Sequence, residues 1–145
     1  MLRSGGFDVD AGPSPEDDPI GRAAAYSALL ETALSIKAVA EGLGRNESRI
    51  RQRLLPRTLY GVRRGRNWLL PLFQFQVEER QGTRAIRTVV PNVEHVFPAL
   101  SPELNPVTVW RWFTSPSTEL MTDEAPDQAI SPRDWLLAGR DPKPL

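Results

Sequence analysis

Ile36-Lys37-Ala38-Val39-Ala40-Glu41-Gly42-Leu43-Gly44-Arg45-Asn46-Glu47-Ser48-Arg49-Ile50-Arg51-Gln52-Arg53-Leu54 is the stretch on which the reading of the fold turns. Ile36, Val39, Ala40 and Leu43 recur at the spacing of one helix face. Ser35, just before them, carries a hydroxyl suited to capping a helix N-terminus. Gly44 supplies, at least cost, the left-handed backbone that ends such a helix. Asn46 or Ser48 caps a second helix, in which Ile50 and Leu54 turn inward. Arg49, Arg51, Gln52 and Arg53 are left to point outward or sideways. Pro56 closes this helix, because proline disfavours helical dihedrals in the residue before it.

Downstream, Tyr60, Val62, Trp68 and Leu70 are β-type residues around Arg63-Arg64-Gly65-Arg66-Asn67, and Gly65 permits a tight turn. This predicts a two-stranded wing with a basic tip, with Trp68 packed beneath it. Pro71 to Phe75 then tuck back under the helices. Upstream, residues 1–20 are rich in Gly, Pro and acid and read as a flexible tail. Residues 21–34 follow as an amphipathic helix ending near Ser35. Residues 21–75 are therefore expected to form a winged helix-turn-helix domain.

Residues 76–91 fit either a second hairpin turning near Gly82 or an extended linker. Residues 92–145 read as helical. Val93, Val96, Phe97 and Leu100 share one stripe, and Asn105-Pro106 and Ser131-Pro132 are caps followed by first-turn prolines. Gly139 stops the last helix, and residues 114–130 read as a long, polar, acidic connection. The expected class is mainly α with a small β-hairpin wing, a winged helix-turn-helix followed by a small helical C-terminal domain.

The 18 basic and 18 acidic residues cancel over the whole chain but are not evenly spread. Between residues 36 and 68 nine basic residues face two acids, Glu41 and Glu47, a net of +7. A positive segment in a neutral chain is a footprint for a polyanion. No apolar run approaches the roughly 20 residues that cross a bilayer, and no leader pattern opens the chain. The absence of cysteine rules out disulfides and thiolate zinc sites, which fits a reducing compartment. A bacterial cytoplasmic protein without a membrane partner is the expectation.

Catalysis finds little support. His95 is the sole histidine, and no nucleophile–base or metal-ligand spacing accompanies it. Gly42-x-Gly44 lacks the third glycine and preceding strand of a dinucleotide site. No catalytic residue, metal or cofactor is expected.

Duplex DNA is the expected ligand. Its major groove admits one helix and offers donors and acceptors that Arg, Gln and Asn can read. Asn46, Ser48, Arg49 and Gln52 stand on the N-terminal, outer side of the second helix, where base contacts are made, and Arg45 just before it is expected at the DNA as well. Arg51, Arg53 and Arg57 suit phosphates or pairing with Glu41 and Glu47. Arg63, Arg64, Arg66 and Asn67 suit the minor groove or the backbone. The helix and the turn would then present one cationic surface. Trp110 and Trp112 lie about 200° apart on a helical wheel, so one should face the core. The other, with Trp135, fits a dimer or partner surface, or is covered by the 114–130 connection.

Val39, Ala40, Leu43, Gly44 and Ile50 resemble the buried, crossing and turn positions of bacterial repressor helix-turn-helix proteins. Tyr60 to Pro71 is similar to the wing of excisionase-type proteins. Val93 to Leu100, Asn105-Pro106, Trp112-Phe113, Pro116, Leu120, Ser131-Pro132-Arg133-Asp134-Trp135-Leu136 and Gly139-Arg140-Asp141-Pro142 resemble the toxin-binding domain of Xre/MbcA/ParS-like antitoxins. The resemblance covers roughly residues 92–145. It implies a DNA-binding antitoxin or antitoxin-like transcriptional regulator, a homodimer that represses its own operator and holds a partner toxin of the RES class. Under it, Trp110, Trp112, Phe113, Trp135, Arg140, Asp141 and Leu145 would form the partner surface. The alternatives are a stand-alone excisionase-like or architectural DNA-binding protein, or an interaction module without a toxin.

Overall fold

The computed structural model describes residues 19–121 and 127–145. The order is α1 (Pro19–Glu31), β1 (Leu34–Ser35), α2 (Ile36–Leu43), α3 (Glu47–Leu54), β2 (Val62–Arg64), β3 (Asn67–Leu70), a 3-10 turn (Leu72–Gln74), β4 (Phe75–Arg80) and β5 (Thr83–Val89). Then come α4 (Val93–Val96), a second 3-10 turn (Phe97–Ala99), α5 (Pro106–Thr114), β6 (Ser117–Met121), β7 (Ala129–Ile130) and α6 (Pro132–Leu137). The tail expected over residues 1–20 lies, up to residue 18, outside the described residues.

This is a mixed α/β chain, which corrects the expected mainly-α class. Helix accounts for 44% and strand for 23% of the described residues, the strands forming three small antiparallel sheets. A winged helix-turn-helix followed by a helical domain does not describe it. The β2–β3 hairpin is no free-standing wing, because β3 also pairs with β1 (Leu34 opposite Leu70, Ser35 opposite Leu69), giving the order β1-β3-β2. The C-terminal part is not all helical either. Where a polar connection was expected, β6 pairs with β7, Ser117 opposite Ile130 and Met121 opposite Ala129. Leu120 is the one buried residue of β6, so apolar alternation is too sparse there to announce a strand.

Residues 76–91 resolve to the hairpin. β4 and β5 pair from Phe75–Val89 to Arg80–Thr83, with a register shift between Gln76 and Val77. The turn residues Gln81 and Gly82 both have positive φ, 53° and 78°, as a type I′ turn requires.

Two apolar clusters hold the molecule. One gathers Ile36, Val39 and Ala40 of α2, Ile50 and Leu54 of α3, and Leu59, Leu70 and Phe75. The other joins Leu29 of α1 to Phe73, Val90, Val93, Val96, Phe97, Val109, Phe113 and Leu136, so the first helix shares a core with the last three. Phe73 and Phe75 enter different clusters from one short segment. Between them Gln74, fully buried, accepts from the Tyr60 amide (2.8 Å) and donates to the carbonyls of Tyr60 (2.7 Å) and Pro71 (3.1 Å). That side chain satisfies backbone groups which would otherwise be buried without partners. Arg133 of α6 works similarly, donating from Nε to the Phe73 carbonyl and from Nη2 to that of Phe75, each at 2.8 Å. Among the described residues, no helix is long and apolar enough to cross a membrane.

Candidate nucleic-acid interface

Local chemistry sets the α2–α3 pair. Ser35 Oγ accepts from the Ala38 amide (3.1 Å), capping α2. Gly44 ends it at φ 66°, ψ 35°, and the Arg45 amide donates to the Ala40 carbonyl at 2.9 Å. Asn46 caps α3, its Oδ1 accepting from the Arg49 amide (2.9 Å) and from the Ser48 hydroxyl (3.0 Å). Asn46 and Ser48, two of the side chains expected at base contacts, are therefore engaged in the cap, although both remain exposed.

Ile50 and Leu54 are 1% and 3% exposed, which fixes the rotation of α3 about its axis. At about 100° per residue, Arg49 and Arg53 then fall on one flank, Ser48 and Gln52 on the outermost line, and Arg51 on the other flank. The contacts agree with this arrangement. Arg51 pairs with Glu47 at 3.5 Å in an exposed i,i+4 bridge. Arg49 and Arg53 turn the other way, into an open cleft of about 560 Å³ between α3 and the end of β5. The helix arginines are thus divided and do not form one continuous cationic surface.

The cleft brings together Arg45, Arg49, Gln52 and Arg53 with Arg87 of β5, and Glu94 of α4 is the only acid among its lining residues. Leu43, Ile50 and Val89 supply an apolar floor. Arg53 is half-buried, donating from Nε to Thr58 Oγ1 (3.4 Å) and from Nη2 to the Thr58 carbonyl (3.2 Å). Burial holds its guanidinium below the usual arginine range; Glu94 opposes that shift and neighbouring Arg45 adds to it. Arg45, Arg49 and Arg87 are exposed, and no described residue offers their side chains a hydrogen bond or an ion pair.

Arg63, Arg64, Arg66 and Asn67 are exposed on the β2–β3 hairpin. Gly65 takes φ 62° at the first of its two turn positions. The Arg63 guanidinium lies 5.5 Å from the Trp68 ring centroid, a cation–π contact that holds one of the hairpin arginines against the hairpin itself. Trp68, expected beneath a wing, is half-buried and packs on the α2–α3 cluster. Arg57 is not placed for phosphate contact. Its Nη2 is committed to the carbonyls of Phe97 and Leu100.

The C-terminal residues are only partly brought together. Phe113 is fully buried and cannot meet a partner, which corrects its assignment to a partner surface. Trp110, Trp112, Trp135 and Leu145 are half-buried against the same cluster, so neither α5 tryptophan points wholly away from the core. Trp135, Arg140 and Asp141 do form a unit. The indole Nε1 donates to the Asp141 carbonyl (2.7 Å), and Arg140 lies over the ring at 5.5 Å.

Sequence reasoning missed Arg87. It lies outside the basic run of residues 36–68, and only the seating of β5 on α2 brings it to the cleft. Among the described residues no group of His, Cys, Asp or Glu is arranged to hold a metal ion. No protein-family model, curated protein or solved structure matches the chain.

Proposed function

We propose that this protein binds duplex DNA through α3 and the residues that precede it, acting as a DNA-binding regulator. The observation that carries the reading is the cationic flank of α3. Arg45 and Arg49 are exposed and uncommitted, Gln52 stands beside them on the solvent side, and a buried Ile50–Leu54 pair holds the helix rigidly beneath. Guanidinium and amide groups on a fixed helix are the donors that read guanine and adenine edges. The hairpin arginines Arg64 and Arg66 add sequence-independent attraction to phosphates.

The experiment is a fluorescence-anisotropy titration against the duplex upstream of the protein's own reading frame, repeated across salt concentrations. Binding should weaken steeply with salt. Arg49→Ala should lower affinity roughly 5- to 150-fold, equivalent to about 1–3 kcal/mol for one base contact. Absence of salt-sensitive binding by the wild type would remove the reading.

The antitoxin form of the proposal adds a partner toxin, of the RES class on the resemblance of residues 92–145. Its support in the fold is the Trp135–Arg140–Asp141 unit, with a half-buried indole at the surface. Co-expression with the neighbouring gene product tests it. Failure to co-purify would leave a DNA-binding protein without a toxin.

A further inference from the structure

The cleft between α3 and β5 asks for a ligand of its own. Four guanidinium groups, Arg45, Arg49, Arg53 and Arg87, line it against a single carboxylate, Glu94, a net of +3. Gathering four like charges around one cleft is unfavourable, most of all for the half-buried Arg53. An anion with several acceptor oxygens relieves that cost and gains charge-assisted hydrogen bonds. Arg53 is already oriented, with one edge of its guanidinium held by Thr58, so little ordering is needed on binding.

We infer that this cleft is a phosphate-binding site, in which Arg87 of β5 and the Arg49–Arg53 flank of α3 grip one phosphate group from two sides. The phosphate comes either from a nucleic-acid backbone or from a free phosphate-bearing small molecule. The first source rests on the proposed function and the second does not. With a backbone phosphate, the β4–β5 hairpin becomes a second anchor on DNA that fixes the angle of α3 without reading sequence.

Two titrations separate these cases. In the first, sodium pyrophosphate is added at constant ionic strength while the arginine Nε–Hε resonances are followed by NMR. The cleft arginines should shift together, and Arg87→Gln should weaken binding by about fivefold or more, consistent with loss of one strong charge-assisted contact. Arg84→Gln removes the same charge from an exposed position on the same strand outside the cleft, and should leave binding unchanged. In the second, the salt dependence of duplex binding is measured for the same variants. Arg87→Gln should reduce the slope of log K against log salt by about 0.9, the value for one phosphate contact.

Pyrophosphate that shifts none of the cleft arginines, or that responds equally to both variants, overturns the site. If duplex still binds in that case, the proposed function stands alone. Pyrophosphate binding without duplex binding supports the site with a free phosphate ligand and removes the DNA reading. Pyrophosphate binding together with the lowered salt slope of Arg87→Gln assigns the phosphate to the backbone, and an unchanged slope assigns it to a free ligand.

Discussion

Arg57 donates from Nη2 to the carbonyl of Phe97 at 3.0 Å and, from the same nitrogen, to that of Leu100 at 2.8 Å. It does so from a left-handed backbone, φ 63°, which a residue with a side chain adopts only at some cost. The bonds bracket the second 3-10 turn and tie the segment after α3 to the C-terminal half. Hydrogen bonds from a charged donor contribute about 1.5–3 kcal/mol. Arg57→Ala keeps the backbone cost and loses the bonds, so it should destabilise by about 2–3 kcal/mol in urea unfolding. Arg57→Gly loses the same bonds but relieves the backbone, and should be milder by about 1 kcal/mol. Equal effects, or a loss under about 0.5 kcal/mol for alanine, would show that the clamp contributes nothing.

Gln74→Leu preserves approximate volume and removes the side-chain bonds to the half-buried Tyr60 amide and carbonyl and to the buried Pro71 carbonyl. Leaving a buried donor or acceptor unsatisfied costs about 1–3 kcal/mol. The variant should lose about 2–4 kcal/mol on that basis, with a fall in the urea midpoint and little change in the slope. A neutral result would mean that water replaces the amide without penalty.

The Tyr60 phenol is pushed up to about 12 from 10.0, first by burial, opposed by Arg57 and assisted by Tyr26. A raised folded value means the unfolded chain ionises first. The stability linked to this group is complete below pH 10 and is lost as pH rises towards 12. The unfolding midpoint should therefore fall across that window, and Tyr60→Phe should flatten the fall relative to wild type. Coincident wild-type and Tyr60→Phe profiles between pH 10 and 12 would contradict the assignment.

Phe113 contacts Phe73 (centroids 5.6 Å apart) and Phe97 (5.3 Å) within the larger cluster. Phe113→Ala should cost about 3–5 kcal/mol through the cavity it leaves. The loss should appear in the isolated protein, measured by thermal or urea unfolding, with no partner present. A stable variant that had lost only an interaction would restore the residue to a binding surface.

The parts of this fold that were legible in the sequence are those decided within a few residues. Ser35, Asn46, Asn105 and Ser131 each cap the helix they precede, because the cap bond reaches only two or three residues. Gly44 and Gly65 take the positive φ their turns need. The second hairpin stayed ambiguous because its type I′ turn opens with Gln81, where Asn or Asp is the usual signal. β6 and β7 were hidden because their pairing is short and irregular and buries only Leu120 fully. The mainly-α expectation failed on such strands.

The candidate site divides along the same line. The outward set on α3 followed from the buried spacing of Ile50 and Leu54. What each arginine does depends on distant groups. Arg57 answers to carbonyls forty residues away and Arg53 to Thr58, while Arg87 reaches the cleft only through the packing of α2 on β5. Arg49 was expected at base contacts and Arg51 at phosphates or paired with Glu41 and Glu47; the fold pairs Arg51 with Glu47 and sets Arg49 with Arg87 among the residues lining one cleft, which only the tertiary packing decides.

The two bonds from Arg133 to the carbonyls of Phe73 and Phe75, with fully buried Leu136 one turn on, make the closing helix a keystone for the middle of the chain. A fragment stopped before Ser131 would expose aromatic surface and strand those carbonyls. Dissection of this protein into separately expressed halves should therefore give aggregation-prone pieces, and point substitution is the sounder way to assign roles to its two ends.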